Sequence, residues 1–155
     1  MRMLTSGDAP RRAGEQQFEL EQWIDTAPFE KLLGMRICHA EGGQAELRMP
    51  FVVNLCQGGG LMHGGAIAAL ADTAVTMAIK SFLPEGIKFV TASLSLKYLA
   101  PMTEGELVAR ATITGPEGRT LWGKTALSTA DGTAVAEFEC VFKILRGQGF
   151  EDKKS

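Results

Sequence analysis

The stretch "GLMHGGAIAALADTAV", residues 60 to 75, sets a His-Gly-Gly at the head of a long apolar run that carries one carboxylate, Asp72. No Lys or Arg follows until Lys80. A carboxylate taken into an apolar interior must be paired, hydrogen-bonded or protonated, because losing its water is costly. If the run is a helix, the neighbours of Asp72 three and four residues away are Ala68, Ala69, Val75 and Thr76. Only Thr76 among them can hydrogen-bond it. An acid in so apolar a setting gains a raised pKa, which is how a general base or nucleophile is tuned. The structural alternative is a buried aspartate satisfied by neighbouring backbone or by Thr76.

The glycines before the helix carry a second chemistry. "QGGGLMHGG" lacks the Gly-Lys-Ser/Thr of a mononucleotide loop, and Gly58, Gly60 and Gly64 are not spaced as GxGxxG. The first turn of a helix still presents N–H groups without partners, and glycine lets a ligand oxygen come close to them. Gly64 and Gly65 therefore suit an oxyanion hole for a thioester or ester carbonyl. Tight helix–sheet packing is the alternative reason for glycine here. His63 could be a ligand, a base or a cap. His39 is the other histidine in the chain, so a multi-histidine metal site is excluded. We favour orientation of the glycine turn through a ring hydrogen bond. Cys56, beside Gln57, could act as a nucleophile with His63, but nothing in the sequence activates its thiol.

Geometry limits how these groups cooperate. Gly64 and Asp72 are eight residues apart, roughly 12 Å along a helix at 1.5 Å per residue. A reacting carbonyl must lie about 3 Å from both the donor and the attacking group. One chain cannot supply both to one carbonyl. Two antiparallel copies of the helix about a two-fold axis would set Gly64 of one against Asp72 of the other.

The elements that must position these residues are legible around them. The helix is predicted from about Gly64 to Phe82, ending before Pro84. "FELEQWIDTAPFEKLLG" gives short helical turns broken by Pro28 and stopped by Gly34. "MRICHAEGGQAELRMP" reads as two strands about Gly42-Gly43. After the helix come four alternating segments, with turns at residues 115–118 and at Asp131-Gly132. In "FVTASLSLKYLAP", Val90, Ala92, Leu94, Leu96 and Tyr98 share one face and Thr91 lies on the other. The expected fold is α+β: a long central helix, apolar all round, wrapped by a curved antiparallel sheet of five to six strands, with a short N-terminal helix. Trp122, Val108, Val135 and Val141 give the sheet a second apolar face, expected to meet another subunit. One domain spans residues 17–146, between flexible tails at 1–16 and 147–155.

Composition fits one core: 155 residues, 45% hydrophobic, 22% charged. A net charge of −2 gives no nucleic-acid footprint. Cys38, Cys56 and Cys140 form neither a disulfide framework nor a CxxC pattern. The N-terminus has no apolar core of a secretory signal, so a cytoplasmic location is expected. The run from Ala66 to Leu83 approaches bilayer length, but Asp72, Thr73, Thr76, Lys80 and Ser81 argue against a membrane span.

The pattern N-x-x-Q-x-x-x-x-x-HGGAIAALADTA, followed by a strand ending "LKYLAP", resembles the hot-dog-fold acyl-CoA thioesterases of the phenylacetate-degradation (PaaI) type over about residues 30 to 145. The resemblance implies a dimer of dimers, with acyl-CoA bound between protomers and no metal or redox cofactor beyond the coenzyme A of the substrate. It implies Asp72 as catalytic carboxylate, Gly64 as the N–H that polarises the thioester carbonyl, with Gly65 beside it, and Gln57 holding carbonyl or water. Asn54 competes with Gln57 at a poorer spacing. Thr76 and Thr91 match water-holding positions, although Thr91 needs a local bend to face the helix. Arg119, after the Gly118 turn, is a candidate for the CoA phosphates. Leu61, Met62 and Phe82 are expected around the acyl group. The same fold hosts acyl-thioester hydratases and dehydratases, but the short Asp-to-His spacing they use before the helix is missing. A non-catalytic acyl-CoA-binding module is the remaining alternative, against which the carboxylate at Asp72 argues.

Overall fold

Strands with a period of two that are joined by tight turns pair antiparallel, and an apolar helix early in such a chain needs a sheet to cover it. The computed structural model of the chain, which describes residues 2–3 and 18–151, has that arrangement. In order it contains β1 (Arg2–Met3), β2 (Phe18–Glu19), α1 (Pro28–Leu33), β3 (Arg36–Glu41), β4 (Gln44–Pro50), a 3-10 turn (Val53–Leu55), α2 (Gly64–Lys80), β5 (Phe89–Tyr98), β6 (Glu106–Glu117), β7 (Thr120–Thr129) and β8 (Ala134–Ile144). The long strands form a six-stranded sheet in the order β3-β4-β6-β7-β8-β5, antiparallel at each pairing. β1 pairs with β2, and the remainder of the expected N-terminal tail lies outside the described residues. At the other end Phe150 packs against the core, beyond the expected boundary at 146.

Helix α2 lies in the curl of the sheet, chiefly over β4, β6 and β7. Leu70, Ala71, Ala74, Val75, Ala78 and Ile79 are fully buried. Alanine lets the helix sit low. The helix also presses on Gly123 of β7, where an added Cβ would stand 2.4 Å from Val75 Cγ1 and 2.9 Å from Cys140 Sγ. Thr125 on the same strand donates to the Ala71 carbonyl at 3.1 Å.

Several expectations are corrected. The helix is not enclosed all round: Gly64, Ala68, Asp72 and Thr76, four residues apart and so on one side, remain partly open. Pro28 does not break the N-terminal helix but starts it, at a position where its missing N–H costs nothing and its fixed φ suits the first turn. α2 stops at Lys80, because Ser81 and Phe82 turn back on Met77 and Ile79. The β6–β7 turn is tighter than expected: Glu117 pairs with Thr120, and Gly115-Pro116 form an irregularity within the strand. Of the second apolar face, Val108 and Val135 are already buried within the protomer, and Val141 is half-buried. Trp122 remains 38% exposed.

A reciprocal clasp fixes the segment before α1 over the end of α2. Trp23 Nε1 donates to the Lys80 carbonyl at 3.1 Å, and Lys80 Nζ donates to the Trp23 carbonyl at 2.9 Å. The ammonium also lies 4.8 Å from the Trp23 ring centroid. No helix among the described residues is long and apolar enough to cross a membrane.

Candidate active site

The loop from Cys56 to Met62 closes on itself before α2 begins. Gln57 N–H donates to the Leu61 carbonyl at 2.8 Å, Gly60 N–H to the Gln57 carbonyl at 2.9 Å, and His63 N–H to the Leu55 carbonyl at 2.7 Å. Gln57 is thereby held at the base of the loop. Its Oε1 accepts from Gly59 N–H, which leaves the Nε2 hydrogens free to donate. Gln57, Gly64, Leu61, Met62 and Tyr98 line one cavity of about 400 Å³ beside the first turn of α2.

The first turn has four N–H groups to place. Ala66 and Ile67 donate to the His63 carbonyl at 2.9 and 3.3 Å. Gly65 N–H donates to His63 Nδ1 at 2.8 Å, making His63 the N-cap. The ring proton of neutral His63 therefore sits on Nε2. Gly64 N–H has no partner among the described residues and is the one donor of this turn left for a ligand. His63 and Gly65 line a second cavity, of about 330 Å³, with Asn54, Cys56, Phe29 and Ala69. Asn54 and Gln57 thus open onto different sides of the turn, and Gln57 shares its side with Gly64.

Asp72 meets a different partner from the one its helical spacing offers. Thr91 Oγ1 lies 3.0 Å from Oδ1 and 3.2 Å from Oδ2 of Asp72 and donates to the carboxylate. Thr76 Oγ1 instead donates to the Asp72 backbone carbonyl, at 3.2 Å, the back-bonding typical of helical threonine. Thr91 faces the helix because the β5–β8 register shifts between Thr91 and Ser93. Thr91 sits opposite the buried Phe142 and so faces the helix, two residues before the register resumes at Ser93 opposite Val141. The shift supplies the bend that strict alternation denies.

Burial raises the Asp72 pKa above the ordinary aspartate value, and the Thr91 hydrogen bond opposes that rise. No salt bridge to Asp72 occurs among the described residues. The Cys140 thiol is pushed up to about 12, first by burial and then by the charge of Asp72. It therefore stays protonated and is no rival nucleophile.

Two expected residues lie apart from these groups. Arg119 Nη1 donates to the Ile144 carbonyl at 2.9 Å, at the end of the sheet where β8 finishes. Phe82 stands beside Gly43, past the far end of α2 from the Gln57 cavity. Among the described residues, no three His, Cys, Asp or Glu side chains come together as a metal ion would need. Tyr98, which alternation marks only as one apolar position among several, donates its hydroxyl to the Gly64 carbonyl at 2.7 Å. No local signal in the sequence links residues 34 positions apart.

The arrangement offers an electropositive amide at one place and a poised carboxylate at another, the parts of an acyl-transfer site. Comparison with known proteins gives the family. The family model described as the thioesterase superfamily matches residues 59–140. A Halobacterium salinarum protein named as an esterase is 30% identical over 76% of this chain and 81% of its own. The proofreading thioesterase EntH of Klebsiella pneumoniae is 36% identical over 48% of this chain and 55% of its own. A mutant of the phenylacetic acid degradation protein PaaI from Thermus thermophilus superposes with a TM-score of 0.70, at 28% identity over 77% of this chain and 100% of that one. The chain belongs to the thioesterase superfamily and is a thioester hydrolase built on the hot-dog fold.

Proposed function

We propose that the chain hydrolyses a small or medium, aromatic or aliphatic acyl-CoA to the free acid and CoA, at sites shared between two protomers. The observation that carries this reading is the separation of the free Gly64 N–H from the Asp72 carboxylate, which is held by Thr91 on the same protomer. The substrate carbonyl accepts from Gly64 N–H, with the Gln57 amide donating nearby. Asp72 of the partner subunit either attacks the carbonyl carbon, giving a mixed anhydride that water then opens, or takes a proton from the attacking water. In both routes the C–S bond breaks and the CoA thiolate leaves. Thr91 holds Asp72 and its water; Thr76, bonded to backbone, shapes the helix beside it. His63 caps the turn, and Asn54 borders the second cavity. Arg119 is assigned to the CoA phosphates at the rim.

Support for the dimer comes from β5. It is an edge strand ten residues long, paired among the described residues with β8 alone. It exposes Val90, Leu94 and Tyr98 by about half of their surface. A long apolar edge needs a cover, and a second copy of the same strand would also bring the open stripe of α2 toward its twin. We extend the assembly to a dimer of dimers, in the cytoplasm, with no cofactor beyond the CoA of the substrate.

The test is a panel of acyl-CoAs with free thiol as readout, run on the wild type and Asp72→Asn. Thiol release by the wild type, lowered about 10²- to 10⁴-fold by the substitution with acyl-CoA binding retained, is the expected result. Binding without thiol release by either protein would instead make the chain a binding module. Loss of an enoyl absorbance without thiol would make it a hydratase.

A further inference from the structure

We propose that Tyr98 is a positioning residue for the oxyanion donor, acting through the peptide that joins Gly64 to Gly65. That peptide is held at both polar ends. Tyr98 Oη–H donates to its carbonyl at 2.7 Å, and its N–H donates to His63 Nδ1 at 2.8 Å. The two holding groups also fill the space that side chains would take. A Cβ on Gly64 would lie 2.8 Å from the Tyr98 hydroxyl oxygen, and one on Gly65 would lie 2.9 Å from His63 Nδ1. The bonds form one directional chain from Tyr98 O–H through the peptide to the imidazole, in which each bond polarises the next.

Gly64 N–H belongs to the preceding peptide, and its direction follows the orientation of the Gly64 Cα that the clamp fixes. A glycine turn at a helix start has wide backbone freedom, so without the clamp the donor would sample many directions. Preorganised donors stabilise an oxyanion because they need no reorientation as charge develops. The anchor comes from β5, the strand that also carries Thr91 and so holds Asp72. One edge strand therefore orients both reacting groups. Its tyrosine serves the amide of its own protomer, and its threonine serves the carboxylate presented to the partner.

This inference rests on the hydrolytic reading for its kinetic consequence but not for its structural one. Tyr98→Phe keeps the ring and removes the donor. In the full-length protein, kcat should fall about ten- to hundred-fold, the scale of a misplaced catalytic group, with KM essentially unchanged. The Gly65 amide should exchange with solvent faster than in the wild type. A trifluoromethyl-ketone analogue of acyl-CoA, whose tetrahedral hydrate mimics the adduct formed when water adds to the thioester, should lose affinity. An S-alkyl-CoA thioether, which has no carbonyl beside the sulfur, should bind as before. Unchanged kcat together with unchanged Gly65 exchange would overturn the proposal. So would equal weakening of both analogues, which would make Tyr98 a contact for the CoA arm. A wild type that releases no thiol would defeat the hydrolytic reading, while exchange at Gly65 would still decide the clamp.

Discussion

Burial and hydrogen bonding pull the Asp72 carboxyl in opposite directions. Desolvation favours the protonated form, the Thr91 hydroxyl favours the anion, and burial prevails, so the pKa stands above 3.8. In the proposed reaction the carboxylate is the active form, so kcat/KM should fall as pH drops through that raised value. Thr91→Val removes the bond that lowers the pKa. Its acid limb should therefore move to higher pH, with the plateau reduced by about tenfold or more for the lost positioning; a pH profile of thiol release measures both. A limb that stays in place or moves down in pH would show that the hydroxyl does not support the anion. The singular character of Asp72 was visible in sequence, because a lone acid in an alanine-rich run has few explanations. Its partner was not. Thr76 is the neighbour that helical spacing offers, while Thr91 reaches the carboxylate across 19 residues of chain and a strand irregularity.

At the scale of elements, the site depends on how low α2 sits on the sheet and how β5 is bent beside it. The low seat comes from Gly123, whose missing side chain admits Val75. Gly123→Ala should destabilise the protein by about 1–3 kcal/mol, the usual cost of overpacking, as a lower midpoint of thermal unfolding. A variant as stable as the wild type would mean that the helix can rise without loss. Glycine on β7 gave no sequence signal of this contact, since Val75 and Gly123 are far apart in the chain. Helix and strands were legible because period and turn residues are local properties: α2 begins at the Gly64 its loop suggests, and six strands follow the alternation. Element ends were less so. Pro28 starts α1 rather than ending a turn, because local composition does not say on which side of a proline the helix forms. The shift at Thr91 and Ser93 is set by pairing with β8 and by the meeting with Asp72, neither of which lies in the strand's own residues.

For the whole molecule, the separation of donor and base along one helix has a consequence that a single protomer cannot meet. Gly64 and Asp72 begin and bisect α2, about 12 Å apart by helical rise. Within one protomer each is held by its own β5 residue, Tyr98 or Thr91. In the proposed reaction a complete site takes the first half of one chain's helix and the middle of another's. Two inactive variants then repair each other: Asp72→Asn supplies an intact Gly64 and Gln57, and Gln57→Ala supplies an intact Asp72. Joined head to tail in one polypeptide by a flexible linker, so that each dimer holds one copy of each variant, the mixed dimer carries one site with every residue in place and one site with two defects. The account predicts thiol release from the mixed dimer at about half the wild-type rate per dimer, from the single intact site, with each parent homodimer far below it. A mixed dimer no more active than its parents would contradict it, and would place donor and base in the same protomer.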